Sequence, residues 1–138
     1  MSGPVDRIAA QCLAVRLRRL NRQVSRIYDD ALRPLGVKVS QLNILVAAAK
    51  TGEARPAEIC RVLDLDASTL SRNLERMRRR GWIETLTDEY DARLQPFRAT
   101  KDGLALIEQA YPAWREAQKL ARKKLGPDAV EALVETGI

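Results

Sequence analysis

The sequence contains no histidine. Histidine is the commonest general acid or base in enzymes and the commonest side-chain ligand of transition metals. The sequence also lacks a phosphate-binding loop, a dinucleotide-binding fingerprint and any clustered metal-ligand spacing. These absences argue against catalysis, so the sequence predicts a protein that is not an enzyme and that needs no cofactor and no metal.

Cysteines, aromatic residues and long apolar runs are also scarce. Cys12 and Cys60 are the two cysteines, too few for a disulfide framework. No apolar run approaches the length of a membrane span, and residues 1–6 lack the apolar core of a signal peptide. We therefore expect a reducing, cytoplasmic environment. Aromatic residues make up only 4% of the chain, so aliphatic side chains must supply most of the core.

Positive charge, by contrast, is abundant. The 138 residues include 24 Lys and Arg against 18 Asp and Glu, a net charge of +6. Such a surplus favours anionic partners through electrostatic attraction and counterion release, without identifying them. Residues 1–50 alone carry nine basic and three acidic residues, a surplus of +6 (9 − 3). Charge alone does not locate a binding surface, because a basic helix face is usually only a solvated face.

Two long apolar stripes lie towards the ends of the chain. From Val5 to Leu32, apolar residues recur every three or four positions, which predicts one long amphipathic helix. A second stripe runs from Leu104 to Val134 and is interrupted by Pro112. A small domain cannot cover both stripes, so we expect a second copy of the chain to pack on them. The alternative is that the two helices pair within one chain.

The central part of the chain predicts a winged helix-turn-helix. Turns near Gly36, at residues 64–66 and at Gly81 delimit short helical patterns. Two short strand patterns, 82–87 and 94–99, then follow around a polar tip. The predicted fold class is therefore mainly α with a small β-hairpin wing, flanked by N- and C-terminal dimerisation helices.

The last of the short helices has two different faces. Leu70, Leu74 and Met77 are spaced to point inward. The other face carries hydroxyl, amide and guanidinium groups, the types that contact base edges and phosphates: Ser68, Thr69, Ser71, Arg72, Asn73 and Arg76. We interpret this helix as a reader of the DNA major groove, with an incidental basic surface as the alternative.

The tip of the hairpin contains Asp91 and Arg93. An arginine at a wing tip can enter a minor groove, whose negative potential attracts it. Asp91 would then accept hydrogen bonds that hold the direction of Arg93; alternatively, Asp91 is only a turn former. In this order and spacing, the helix and the hairpin together predict a protein that binds double-stranded DNA.

Over these segments the sequence resembles the MarR family of bacterial transcription regulators. The matching stretches are LRPLGVKVSQLNILVAA, PAEICRVLDLDASTLSRNLERMRRRGWIE and DARLQPFRATKDGLALIEQA. The most specific part is Asp91-x-Arg93 and a strand, followed by Thr100-x-x-Gly103 at the start of the next helix. Pro96 departs from the pattern, because it cannot donate a hydrogen bond within the second strand of the wing. We therefore expect that strand to be an edge or slightly bulged.

The resemblance implies a homodimeric repressor that binds a palindromic operator. Residues 1–35 and 104–138 would form the helical dimerisation region, and residues 36–103 the DNA-binding domain. The positions that match the DNA contacts of the family are Ser68, Thr69, Ser71, Arg72, Arg76 and Arg93. Asn73 is added to this set because of its outward placement.

The resemblance also implies regulation by a ligand. Members of the family commonly respond to phenolic or other small aromatic anions, bound in a crevice between the dimerisation and DNA-binding regions. The corresponding crevice would lie near Arg16, Leu20, Tyr28, Leu42 and Trp114, which are equally expected as core and helix surface. We expect a small-molecule ligand or another signal to relieve DNA binding.

Cys12 supports an alternative, a redox-sensing regulator. One branch of the family senses organic hydroperoxides through a cysteine near the start of the first helix, and Cys12 resembles that cysteine in location. A sensing thiol must be accessible and easily deprotonated. Cys12 instead shares an apolar stripe with Val5, Ile8 and Val15, which predicts burial. A further alternative is a winged-helix module that binds protein or RNA.

Overall fold

The computed structural model describes residues 3–87 and 95–136, so Asp91 and Arg93 lie outside the described residues. Within these ranges the fold is mainly helical with one antiparallel hairpin, which confirms the predicted fold class. In chain order the elements are α1 (Pro4–Gln11), α2 (Leu13–Leu32), a 3-10 turn (Arg33–Leu35), α3 (Val39–Thr51), α4 (Pro56–Leu63), α5 (Ala67–Arg79), β1 (Ile83–Thr85), β2 (Phe97–Ala99), α6 (Lys101–Leu125) and α7 (Pro127–Glu135). In the part of the chain that the structure describes, no helix is long and apolar enough to cross a membrane.

The prediction of one continuous helix from Val5 to Leu32 is wrong. Cys12 leaves the helical conformation, with ψ at 113°, and separates α1 from α2. Across this break the Arg16 guanidinium donates to the carbonyl of Ala10. The spacing of apolar residues could not reveal the break, because periodicity reports which face is apolar and not whether the backbone is continuous.

The hydrophobic core joins the long helices to the helix-turn-helix and the hairpin. Helix α2 packs mainly against α6, and α3 lies against β2 and α6. The largest fully buried hydrophobic side chains are mostly aliphatic, as the low aromatic content predicts: Leu32, Ile44, Leu45, Leu70, Met77 and Phe97. Two of these side chains belong to α5, so this helix is fixed with one face in the core.

The hairpin is short and has a neighbour on its second strand. β1 and β2 pair antiparallel with Glu84 opposite Arg98. Phe97 also exchanges two backbone hydrogen bonds with Ala54, at 2.8 and 2.9 Å. β2 is one of two strands, as an edge strand would be, but the bridge to Ala54 covers its outer side at Phe97. The strand begins just after Pro96, so the missing N–H of this proline falls at the end of the ladder.

Candidate nucleic-acid interface

The turn between α4 and α5 sets where the exposed helix begins. Asp64 ends α4 in the left-handed conformation, with φ at 53°. Asp66 then caps α5, and its carboxylate accepts a 2.7 Å hydrogen bond from the Thr69 N–H and a 3.0 Å bond from the Ser68 hydroxyl. The bond from the Thr69 N–H is the main cause that lowers the pKa of Asp66. The ionised carboxylate also faces the positive end of the helix dipole, so it stabilises the start of α5.

Helix α5 has the two faces that its sequence predicts. Leu70 is 1% exposed, Met77 is fully buried, and Leu74 packs partly buried against the same core. Four of the six predicted DNA contacts on the opposite side are exposed, namely Ser68, Ser71, Arg72 and Arg76. One side of α5 is therefore anchored while the other is open to a partner.

Thr69 and Asn73 are half-buried, so they lie less outward than predicted. The Asn73 amide Nδ2 donates to the carbonyl of Thr69 at 3.2 Å, one helical turn earlier. The Thr69 hydroxyl accepts from Arg72 Nη2 at 3.4 Å. The side chains of Thr69 and Asn73 are thus bonded within α5.

The arginines of α5 fall into two groups. Glu75 forms ion pairs with Arg78 at 2.8 Å and with Arg79 at 3.1 Å. The hydrogen bonds from Arg78 are the main cause that lowers the pKa of Glu75. Arg72 and Arg76, in contrast, form no ion pair with any of the described residues. Their charges are available to an anionic partner.

The end of α5 is set by two backbone hydrogen bonds. The Gly81 N–H donates to the carbonyl of Arg78, and the Trp82 N–H donates to the carbonyl of Met77, both at 3.0 Å. With Gly81 in the left-handed region at φ 78°, this pair of bonds is a Schellman motif. The predicted break at Gly81 is confirmed.

Arg80 makes a contact that the sequence did not predict. Its guanidinium lies 4.5 Å from the centre of the Trp82 ring. Its Nη1 donates to the carbonyl of Gly36 at 3.2 Å. Gly36 lies 44 positions earlier in the chain, so no local pattern could link the two residues.

The Thr100-x-x-Gly103 pattern joins α6 to the end of α5. The Thr100 N–H donates to the carbonyl of Trp82 at 3.0 Å, and its hydroxyl donates to the carbonyl of Gly81 at 2.5 Å. The same hydroxyl accepts from the Gly103 N–H at 3.0 Å and caps α6. A Cβ at Gly103 would collide with the carbonyl oxygen of Trp82. The sequence identified this pattern only by resemblance, and its physical role is to seat the end of α5 on α6.

The five residues predicted near an effector crevice are not all close together. Tyr28, Leu42 and Trp114 belong to the same core cluster, whereas Arg16 and Leu20 do not. Along α2, Leu20 and Arg16 precede Tyr28 by about 12 and 18 Å. An open groove of about 630 Å³ between α2 and the start of α3 is lined by none of the five. Their role in ligand binding stays a prediction.

Both cysteines are free thiols and both are half-buried. Cys12 lies at the break between α1 and α2. The side chains expected to bury it are themselves exposed within a single chain: Val5, Ile8 and Val15. Cys60 packs against the core. The redox role of Cys12 stays a prediction.

Known proteins are similar to this chain in both sequence and fold. The sequence model of the MarR family matches residues 35–94. The multiple antibiotic resistance protein MarR of Salmonella typhimurium is 33% identical over 116 residues, which are 83% of this chain and 80% of that protein. The crystal structure of a mutant MarR from Escherichia coli complexed with operator DNA has a TM-score of 0.82 and 25% identity, and the match covers 98% of this chain and 96% of that one.

A third relative illustrates the fold at lower identity. The structure of Bordetella bronchiseptica BpsR, whose DNA binding is regulated by 6-hydroxynicotinic acid, has a TM-score of 0.80 and 21% identity over 92% of this chain and 91% of that one. The family match at 35–94 includes α3, α4, α5 and β1, and the structural matches extend it to the long helices on either side. The chain therefore belongs to the MarR family of winged helix-turn-helix transcription regulators.

Proposed function

We propose that this protein is a homodimeric repressor that binds a palindromic operator in double-stranded DNA and is released by a small molecule or another signal. The observation that carries the proposal is the exposed face of α5. There, Arg72 and Arg76 form no ion pair with the described residues, and they share the exposed face with Ser68 and Ser71. Guanidinium and hydroxyl groups on a protruding helix are the groups that reach base edges and phosphates in the major groove.

The proposed DNA contacts are those of α5 and of the wing tip. Support comes from the similar MarR of Escherichia coli, which binds operator DNA, and from the anchored inner face of α5. The N-terminal half of a recognition helix enters the groove, so most of the contacts are proposed there, with Arg76 one turn further along α5 and two contacts at the wing. They are Ser68, Thr69, Ser71, Arg72, Asn73 and Arg76 on α5, and Asp91 and Arg93 on the wing.

The proposed dimer rests on apolar side chains that a single chain leaves exposed. They lie on the helices at both ends of the chain: Val5, Ile8, Leu13, Leu17, Leu120, Leu133 and Val134. Exposed apolar surface of this kind marks an interaction site. A two-fold dimer would present two copies of α5 to the two halves of a palindrome. We accordingly propose residues 1–35 and 104–138 as the dimerisation region and residues 36–103 as the DNA-binding domain.

The proposed effector is a small aromatic or anionic molecule. BpsR offers an example of this fold with such a regulator. The proposed lining comprises Arg16, Leu20, Tyr28, Leu42 and Trp114. The proposed compartment is the cytoplasm, where a bacterial operator is found.

Replacing Arg72 tests whether α5 contacts the bases of the operator. The probe is a duplex selected from a random library by the wild-type protein, and binding is measured by fluorescence anisotropy at fixed salt. Arg72→Ala should weaken binding to the selected duplex by about 1–3 kcal/mol and relax the preference for its bases, because a guanidinium at a base edge is lost.

Arg79→Ala is the matched control. It removes the same charge from the same helix, but from a side chain that already forms an ion pair with Glu75. We expect a smaller loss of affinity, equal for selected and random duplexes. Equal losses for both variants would remove Arg72 as a base reader. A wild-type protein that selects no sequence would favour a module that binds DNA through charge alone.

A further inference from the structure

Arg80 directly follows α5, the proposed recognition helix, and its side chain contacts other residues of the protein. Its guanidinium stacks at 4.5 Å on the ring of Trp82 and donates to the carbonyl of Gly36 at 3.2 Å. Trp82 is buried in the core, so the ring is a fixed platform. Although Arg80 is exposed, the ring and the carbonyl together favour one orientation of its planar guanidinium.

Gly36 is the other end of this contact. It ends the 3-10 turn that leaves α2, in the left-handed conformation at φ 69°. A Cβ at this position would lie 3.0 Å from Arg80 Nη2 and 3.3 Å from Nη1. A side chain at position 36 would therefore press on the guanidinium. The contact joins the end of α5 to the turn between α2 and α3.

We infer that Arg80 is a positioning residue that fixes the orientation of the recognition helix relative to α2, and that it is not a phosphate contact. The inference rests on the proposed function, because it concerns the orientation of a DNA-reading helix. The distance between two recognition helices must match the distance between two half-sites. Thr100 and Gly103 join the end of α5 to the start of α6. Arg80 joins the same end of α5 to the turn that follows α2.

The salt dependence of operator binding separates the two roles of an arginine. We expect Arg80→Ala to weaken binding to the selected duplex by about three- to tenfold, through loss of the stacking and hydrogen bonding that orient α5. The slope of log Kd against log salt concentration should remain that of the wild type. Loss of a phosphate contact would instead reduce this slope by about 0.9.

Arg80→Lys is the conservative variant. An ammonium keeps the charge that a phosphate would need, but it has no planar group to stack on Trp82 while donating to Gly36. We expect Arg80→Lys to bind as weakly as Arg80→Ala. Full recovery of affinity by Arg80→Lys would mean that charge alone matters, which overturns the positioning role.

Gly36→Ala perturbs the same contact from the other side without a change in charge. Its Cβ would press on the guanidinium, which must shift by a few tenths of an ångström, and its φ is strained. Affinity should fall with the slope unchanged, and the Gly36→Ala/Arg80→Ala double variant should lose less affinity than the sum of the two single losses. Circular dichroism shows which variants keep the fold. If Gly36→Ala unfolds, the comparison of Arg80→Lys with Arg80→Ala still tests the positioning role of Arg80.

The outcomes for the positioning role and for the proposed function can be distinguished. Specific binding by the wild type, together with a reduced salt slope for Arg80→Ala, would overturn the positioning role and leave the proposed function intact. Absence of sequence-specific binding by the wild type would overturn the proposed function, and the positioning role with it.

Discussion

Among single residues, Asp66 controls where the recognition helix begins. Its carboxylate accepts from the Thr69 N–H and the Ser68 hydroxyl, and the first of these bonds is the main cause of its lowered pKa. A group whose pKa is lowered on folding stabilises the fold only while it is ionised. The contribution is therefore present above the unfolded-state pKa of about 3.9 and is lost as the pH falls through the lower folded-state pKa.

Asp66→Ala should consequently unfold at a lower temperature than the wild type near neutral pH. The difference between the two proteins should shrink as the pH falls below about 4, because the wild-type carboxylate becomes protonated. Thermal unfolding followed by circular dichroism across this range measures it. Asp102→Ala is the control, since Asp102 lies in the first turn of α6 and Thr100 makes the cap there. A difference that stays constant at low pH would show that the carboxylate is not its source.

The sequence correctly predicted which side chains of α5 face the core, because the helical period decides their direction. Leu70 and Met77 point into the core because they follow the period of α5. The bond from Asn73 back to Thr69 and the contact of Arg80 were not predicted, because side-chain partners depend on rotamers and on chain segments far apart in the sequence. The assignment of individual side chains to DNA stays a prediction.

Among the elements, α6 begins so close to the end of α5 that position 103 has no room for a side chain. Alanine within a helix is ordinarily about 0.5–1 kcal/mol more favourable than glycine. Gly103→Ala should nevertheless lower the free energy of unfolding by about 1–3 kcal/mol, because its Cβ meets the backbone of Trp82 and the two segments must move apart.

Urea denaturation measures this change. Gln109→Ala is the control on the exposed side of the same helix and should remain within about 0.5 kcal/mol of the wild type. A Gly103→Ala variant as stable as the wild type would show that α6 can shift without cost.

Elements were predicted well where local signals mark their ends. Gly81 ends α5 and Gly36 ends the turn after α2, both with positive φ, as glycine allows. The break at Cys12 lacks such a signal, and the sequence therefore predicted one helix. The bridge between Phe97 and Ala54 joins distant segments, so the position of Pro96 could suggest an edge or slightly bulged strand but not this contact.

For the whole molecule, the proposed interface predicts that one exposed leucine controls association. Leu17 on α2 is 61% exposed within a single chain. Leu17→Asp should raise the dissociation constant of the dimer by about tenfold or more, because an unpaired carboxylate would be buried. Sedimentation velocity across a dilution series measures the change.

Val46→Asp is the matched control. Val46 is a 43% exposed apolar residue on α3, outside the proposed dimerisation region. It receives the same new charge and should leave association unchanged. Equal weakening by both variants, or none by Leu17→Asp, would contradict the proposed interface.

The fold of the whole chain was predictable because the order of helical and strand patterns is specific for a winged helix. Which helices pack together was not, since the apolar stripe of α2 is compatible with α6 of the same chain and with another copy. Both kinds of contact have support: α2 packs on α6 within the chain, while Leu13 and Leu17 remain exposed.

Helix α1 has a consequence for the lifetime of the protein. It has 8 residues and buries none of them within a single chain, and Cys12 interrupts its connection to α2. A helix of this length is unstable alone in water, so we expect contacts with a partner to stabilise α1. Ordering α1 on association costs conformational entropy, which offsets part of the free energy gained from the contacts. Dilution would therefore release an unfolded segment that proteases cleave first, and cellular concentration would set how long each chain survives.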